Sequence, residues 1–293
     1  MGARPLGARE PSVRVGELLA LVAAPPAFLT ALLYYFGWVR ENAVFNYFGV
    51  DADLIGFTTQ GYLLRSAGIA FRPLAIGLLL AGGLLVVHVS LRHLITTTRR
   101  RSRLLVAASG VMSVGLLLVA SLVMAGKLPV RPLLGALALG FGALTGEVAA
   151  YDLTVWPARI GAAATRRTVA LRRMIVASLV LVAAFWSTAL YAQHSGESFA
   201  TYTGANLASL PAIVLFSEKQ QQISGPGVQV MALDPTDSAF RFQYTGLRLL
   251  VYGGGRWFIL PDGWVRGNGA TVTILPDADR SVRVAIQAPS RHP

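Results

Sequence analysis

The stretch that decides the fold is Glu17-Leu-Leu-Ala-Leu-Val-Ala-Ala-Pro-Pro-Ala-Phe-Leu-Thr-Ala-Leu-Leu-Tyr-Tyr-Phe-Gly-Trp-Val39. An apolar run of about 22 residues is long enough for a helix to cross about 30 Å of hydrocarbon. It ends in Tyr34, Tyr35, Phe36 and Trp38, the aromatic belt expected where a span meets water. A cleaved signal peptide would have a shorter apolar core and a small-residue cleavage site, so the run reads as a retained span. Pro25 and Pro26 inside it predict a kink. Residues 1–16 ahead of it are polar and basic, with Arg4, Arg9 and Arg14, and are expected to be a cytoplasmic N-terminus.

Outward from this segment, four more apolar runs follow, at about 73–91, 104–125, 132–150 and 174–192. With the first, at about 17–39, they predict a five-helix transmembrane domain over residues 17–193. Composition agrees. Of 293 residues, 54% are hydrophobic and 14% charged, whereas a soluble domain carries about 25% charged residues.

The net charge of +12 has its own explanation. Residues 1–193 hold 18 Lys and Arg against 7 Asp and Glu, while residues 194–293 hold 8 against 7. Thirteen of those 18 lie in three segments: Arg4/Arg9/Arg14, Arg92/Arg99/Arg100/Arg101/Arg103 and Arg159/Arg166/Arg167/Arg172/Arg173. Five spans place all three on one side, and the positive-inside rule makes that side the cytoplasm. The C-terminus is then outside. The basic charge is a topology signal, and nucleic acid is excluded as a partner because no basic face carries interleaved aromatics. The absence of cysteine removes disulfides, thiol catalysis and Cys-ligated metals.

Within the fourth run Ala138, Gly142 and Gly146 recur every four residues. Small residues at this spacing let helix backbones approach closely in lipid. They predict packing inside the bundle, with homodimerisation as the alternative. Glu147, one residue on, is the candidate intramembrane polar site. A pairing with a cytoplasmic arginine is the reading favoured over proton or ion handling.

Residues 40–72 are too long for a tight connection and too apolar for a solvated loop. They predict short helices at the outer interface that fold back over the bundle or seat the tail domain. Thr58 or Thr59 is positioned to cap a helix through 64–67. Tyr47, Phe48, Asp51, Tyr62 and Arg65 are the candidate interaction surface of this loop.

Residues 194–208 (Ser195, Gly196, Ser198, Thr201, Thr203, Gly204) are small and polar and read as a linker. From residue 209 to 293 the period changes to that of strands: 212–217, 228–233, 240–244, 247–252, 257–260, 271–275 and 282–286. Gly253-Gly-Gly255 marks a hairpin. Six or seven short strands predict a small barrel or sandwich outside the membrane.

The motifs Tyr34-Tyr-Phe-Gly-Trp, Tyr47-Phe-Gly-Val-Asp51, Gly56-Phe-Thr-Thr-Gln, Tyr62-Leu-Leu-Arg65, Tyr244-Thr-Gly-Leu-Arg-Leu-Leu250 and Gly255-Arg-Trp-Phe-Ile-Leu-Pro-Asp262 stand at both ends of the chain. In them the sequence resembles uncharacterised actinobacterial multi-pass membrane proteins with a YFGVD loop and a small C-terminal extracytoplasmic β-domain. The resemblance implies an actinobacterial origin and this architecture, and it brings no activity with it.

No nucleophile elbow, phosphate-binding loop or zinc-protease pattern is present. His88, His93, His194 and His292 are scattered, and the tail aspartates fall in turns, where Asp commonly caps backbone. No catalytic residue, metal or cofactor is expected. The expected protein is a non-enzymatic, multi-pass protein of a bacterial cytoplasmic membrane that presents its β-domain for binding, sensing or assembly. The alternative is a subunit of a small oligomeric channel or transporter. Expected partners are the lipid bilayer and a second copy or another membrane protein; no small-molecule ligand is specified.

Overall fold

The computed structural model describes residues 15–66, 99–155, 162–234 and 239–287, with isolated positions between 68 and 79. The second expected span, at about 73–91, falls almost wholly outside the described residues, as do most of residues 1–16, Arg92 and Arg159. Among the described residues, helices at Ala107–Met124, Pro132–Ala150 and Arg167–Ala205 are long and apolar enough to cross a membrane.

Helix α1 (Val15–Tyr47) continues through Pro25 and Pro26 and runs two turns beyond the aromatic belt. Two short elements follow. Helix α2 (Ala52–Ile55) is capped by Asp51, whose carboxylate accepts from the Asp53 N–H, and closed by Gly56 in the left-handed region at φ 70. A helix over 59–66 starts at Thr58, whose Oγ1 accepts from the Gly61 N–H at 3.1 Å. That is the N-cap bond expected of a threonine just ahead of a helix. Three long helices come next, α3 (Arg99–Met124), α4 (Pro132–Val155) and α5 (Ala162–Ala205). Pro132 opens α4, where a missing N–H costs nothing.

Packing fixes the relative directions. A Cβ on Gly135, Gly142 or Gly146 would lie 2.6 Å from Val123, 3.1 Å from Leu117 and 2.7 Å from Ser113 respectively. These pairs run in opposite senses, so α3 and α4 are antiparallel, and Ser113 Oγ donates to the Gly142 carbonyl at 2.7 Å. Ala138, 6% exposed, shares a small core with Ala120, Leu139 and Ala183. The Ala138–Gly142–Gly146 stripe is therefore occupied within the chain.

Helices α1 and α5 run parallel. Phe36 packs on Phe185 at 5.4 Å and shares a core with Ala192, Gly196 lies under the Arg40 carbonyl, and Gly204 lies against Tyr47. The starts of α1, α3 and α5 thus share one end of the bundle, the arginine end.

The expected linker at 194–208 is a correction: α5 continues through it to Ala205, and a 3-10 turn spans Leu207–Ser209. Ala192, Gly196, Ala200 and Gly204 are four residues apart, and Ala192 and Ala200 are fully buried. Packing of this small-residue face on α1 outweighs the weak helix propensity of glycine and threonine. The 44-residue α5 is roughly 66 Å long at the standard rise per residue.

Residues 212–287 form one six-stranded antiparallel sheet, not a two-sheet sandwich: β1 (Ala212–Ser217), β2 (Gln229–Ala232), β3 (Phe242–Gly253), β4 (Arg256–Pro261), β5 (Thr273–Pro276) and β6 (Val282–Gln287). The order is β5-β4-β3-β1-β6, with β2 beside the first half of β3. The strands expected at 240–244 and 247–252 are a single long one. Gly246, at φ 74, lets it pass from pairing with β2 to pairing with β4, and a side chain there would strike the Gly227 carbonyl. One face of the sheet carries a core of Ile213, Leu215, Ile223, Tyr244, Leu247 and Ile259. The other face meets the bundle.

Candidate functional site at the junction of bundle and sheet

The largest apolar core joins three parts of the sequence. Val44 and Phe45 end α1, Phe48, Val50, Ala52 and Ile55 follow it, Ala200 lies near the end of α5 and Leu207 in the 3-10 turn beyond it, and Phe258 and Leu260 belong to β4, with Trp264 in the loop after it. All are buried. The expected role of residues 40–72 as a seat for the tail domain thus has a specific physical content.

Aromatic side chains make the seat. Phe48 and Tyr47 meet the Trp264 ring at 4.9 and 6.0 Å. The Trp264 indole donates to the Ala270 carbonyl at 3.1 Å, which fixes the loop after β4. Phe45 packs on Phe57 at 5.8 Å, and Phe57 meets Tyr62 edge-on at 5.6 Å. Such pairs add to area burial because ring edges and faces carry opposite partial charge. Glycines bring backbones into contact. A Cβ on Gly253 would lie 2.8 Å from the Ile55 carbonyl oxygen, and one on Gly254 2.7 Å from it. The hairpin tip 253–255 therefore docks on the C-terminus of α2.

Beneath the seat lies a charged cluster. Glu41 is 1% exposed, and its two oxygens accept from Arg40 at 2.6 Å and Arg65 at 2.9 Å. Arg40 lies over Phe199 at 5.0 Å and Arg65 over Phe57 at 4.3 Å, so each cation also rests on a ring face. Trp38 Nε1 donates to Asp53 at 3.1 Å, tying the aromatic belt to α2. Burial, then the nearby Asp53 carboxylate, pushes the Tyr62 hydroxyl above the usual phenol range. On the sheet side, Arg248 donates to Asp262 at 2.7 Å and to the Leu210 carbonyl at 3.1 Å, clamping the segment that leaves α5.

The five residues expected to form the loop's interaction surface point mostly inward. Phe48 and Tyr62 are buried, Tyr47 is half-buried between Trp264 and Arg266, and Arg65 is committed to Glu41. Asp51, the cap of α2, is exposed, and the Arg65 side chain stays partly open to solvent at 41% while it holds Glu41. Several members of the junction escaped sequence reasoning, among them Glu41, Phe258, Leu260 and Trp264. The available signal for Glu41 was a lone acid flanked by an aromatic belt and an apolar loop.

At the opposite end, Glu147 accepts from Arg172 Nε and Nη2, both at 2.9 Å, while Arg172 Nη1 donates to the Ala150 carbonyl at 2.7 Å. Arg173 stands 4.0 Å away. Every carboxylate oxygen of Glu41 and Glu147 is thus engaged by a guanidinium. Among the described residues no group of three His, Asp or Glu side chains is placed to hold a metal ion. The chemistry of this junction is that of a fixed joint: apolar contact, backbone-to-backbone approach and neutralised charge. Compared with protein-family models, with curated proteins and with solved structures, the chain matches none.

Proposed function

We propose that the chain is a non-enzymatic, five-span protein of the bacterial cytoplasmic membrane. Its N-terminus and arginine segments lie in the cytoplasm, and its β-sheet domain is held rigidly at the outer surface for binding, sensing or assembly with a partner. The observation that carries this reading is the single core shared by α1, residues 50–55, α5 and the sheet. A flexibly tethered domain has no use for such a core; a platform that must keep its height and orientation above the bilayer does. Five crossings are supported by the end-to-end arrangement. Ser66 lies beside Gly37 at the sheet end, whereas Arg99 opens α3 at the arginine end, so the chain returns between them.

Two observations weigh against the channel alternative. The glycine stripe of α4 is filled by α3, and Glu147 is neutralised by Arg172.

Cysteine labelling in whole cells tests the topology, since the chain has no cysteine of its own. A cysteine replacing the exposed Asn268 should react with a membrane-impermeant maleimide added outside, and one replacing Arg103 should react only after lysis. The reverse pattern sinks the proposal. Crosslinked size in detergent separates a monomeric platform from an oligomeric pore.

A further inference from the structure

Strands β5 and β6 are consecutive in sequence, joined by only five residues, yet among the described residues neither pairs with the other. β5 pairs with β4 alone and β6 with β1 alone. A cavity of about 230 Å³ lies between them, lined by Trp257, Leu275, Pro276, Asp277, Val282, Arg283 and Val284. Side chains alternate faces along a strand. A cavity that touches the successive residues Leu275 and Pro276 on β5 and Val282, Arg283 and Val284 on β6 therefore borders the strand edges and not one face of the sheet. It is a seam where the curled sheet fails to close.

We propose that this seam is a binding site for an extended, acidic-and-apolar peptide strand of a partner protein, which adds to the sheet between β5 and β6. The proposal names the kind of partner for the platform described above and rests on that reading of the domain. Three observations carry it. Each bordering strand has one unpaired edge, and a row of free backbone donors and acceptors is what an added strand recognises. The cavity is smaller than the roughly 300–1,000 Å³ of small-molecule pockets, and it is bordered by residues of both strands. The third observation is charge. Among the described residues the side chains of Arg280 and Arg283 carry no hydrogen bond or ion pair. Asp277 and Asp279 keep their charge, but their hydrogen bonds go to Tyr252, Trp257 and Ser281, which leaves the two guanidiniums still without a partner among the described residues.

The pattern of β6 specifies the ligand further. Val282 and Val284 pack toward the sheet's apolar core, and Arg283 between them is exposed. Directly opposed side chains on paired strands contact one another. A strand laid on β6 therefore matches best with apolar and acidic residues in alternation.

The test uses the full chain in detergent and a fluorescent octapeptide of alternating valine and glutamate. That peptide should bind, and amide exchange at 273–276 and 282–287 should slow when it does. Methylating alternate backbone nitrogens of the peptide should weaken binding at least tenfold. Arg283→Glu should weaken it at least tenfold and favour the valine–lysine counterpart instead. Absence of binding, indifference to backbone methylation, or an unchanged affinity in Arg283→Glu overturns the proposal. So does displacement of the peptide by decanoate, which would mark a site for small anionic amphiphiles, or crosslinking of the seam to a second copy of the chain. None of these outcomes depends on which side of the membrane the domain occupies, so the topology experiment fails or succeeds separately.

Discussion

Arg172 grips Glu147 with two hydrogen bonds of 2.9 Å, from the first turns of α5 to the last turns of α4. Both side chains are about one-fifth exposed. The pair closes the arginine end of the bundle as the aromatic seat closes the other. Removing one partner leaves the other charge without its counterion in a poorly solvated place. Glu147→Ala should lower stability by about 1.5–3 kcal/mol, the range for hydrogen bonds to charged groups. Arg172→Leu should cost a similar amount. The double variant should cost clearly less than the two together, because each single change strands a charge that the double change removes. Equilibrium unfolding in detergent measures all three, and strict additivity would refute the pairing.

Trp264 is 4% exposed and touches Tyr47 and Phe48 across the junction. Trp264→Ala should cost about 3–5 kcal/mol, as truncation of a buried large aromatic does. The more telling readout is local. Protease cleavage between α5 and β1 should accelerate if the core at the junction holds the sheet in place. A variant that lowers global stability without exposing that segment would mean the sheet is held by something else.

Much of this was legible from residues. The apolar runs at 104–125, 132–150 and 174–192 read as helices because no proline falls inside them after the opening Pro132 and little in them wants water. β1 was legible to the residue, because Ala212–Ser217 is a short β-branched run between breakers. Residues 194–205 were not. Their serines, threonines and glycines carry a linker's composition, and the fact that decides their fold is the four-residue spacing of Ala192, Gly196, Ala200 and Gly204. That spacing acquires meaning only when α1 lies alongside. The single strand Phe242–Gly253 escaped for a similar reason: Gly246 reads as a turn until β2 and β4 are seen to share one edge. The inward turn of Tyr47 and Phe48 depended on Trp264 in the tail domain, which periodicity cannot supply.

Gly196 tests the small-residue face directly. A side chain there would strike the Arg40 carbonyl and crowd Ala43. Gly196→Leu should destabilise by about 1–3 kcal/mol through overpacking. Ser198→Leu, two residues on and exposed, should stay within about 0.5 kcal/mol of the parent. Equal effects at the two positions would refute the parallel packing of α1 on α5.

The turn between β5 and β6 should be ordered over a bounded range of pH. The hydrogen bond from the Tyr252 hydroxyl to Asp277 holds that phenol above its ordinary value. A raised value means a contribution to stability that is complete below the ordinary phenol range and is lost as pH climbs through the raised one. Asp279 behaves in the opposite sense. Bonds from the Ser281 hydroxyl and N–H hold its carboxyl below the usual range. Its contribution is complete above the ordinary carboxylate value and is lost as pH falls through the lowered one. Ultraviolet difference titration of the parent against Tyr252→Phe should show one phenol ionising above the usual range. Asp277→Asn should bring that transition down, because it removes the charge that opposes the phenolate. Amide protection at 277–281, taken relative to the intrinsic exchange rate at each pH, should be greatest between the two transitions. An unchanged Tyr252 titration in Asp277→Asn would show that this hydrogen bond does not set the turn, and that the mouth of the seam is held open by packing alone.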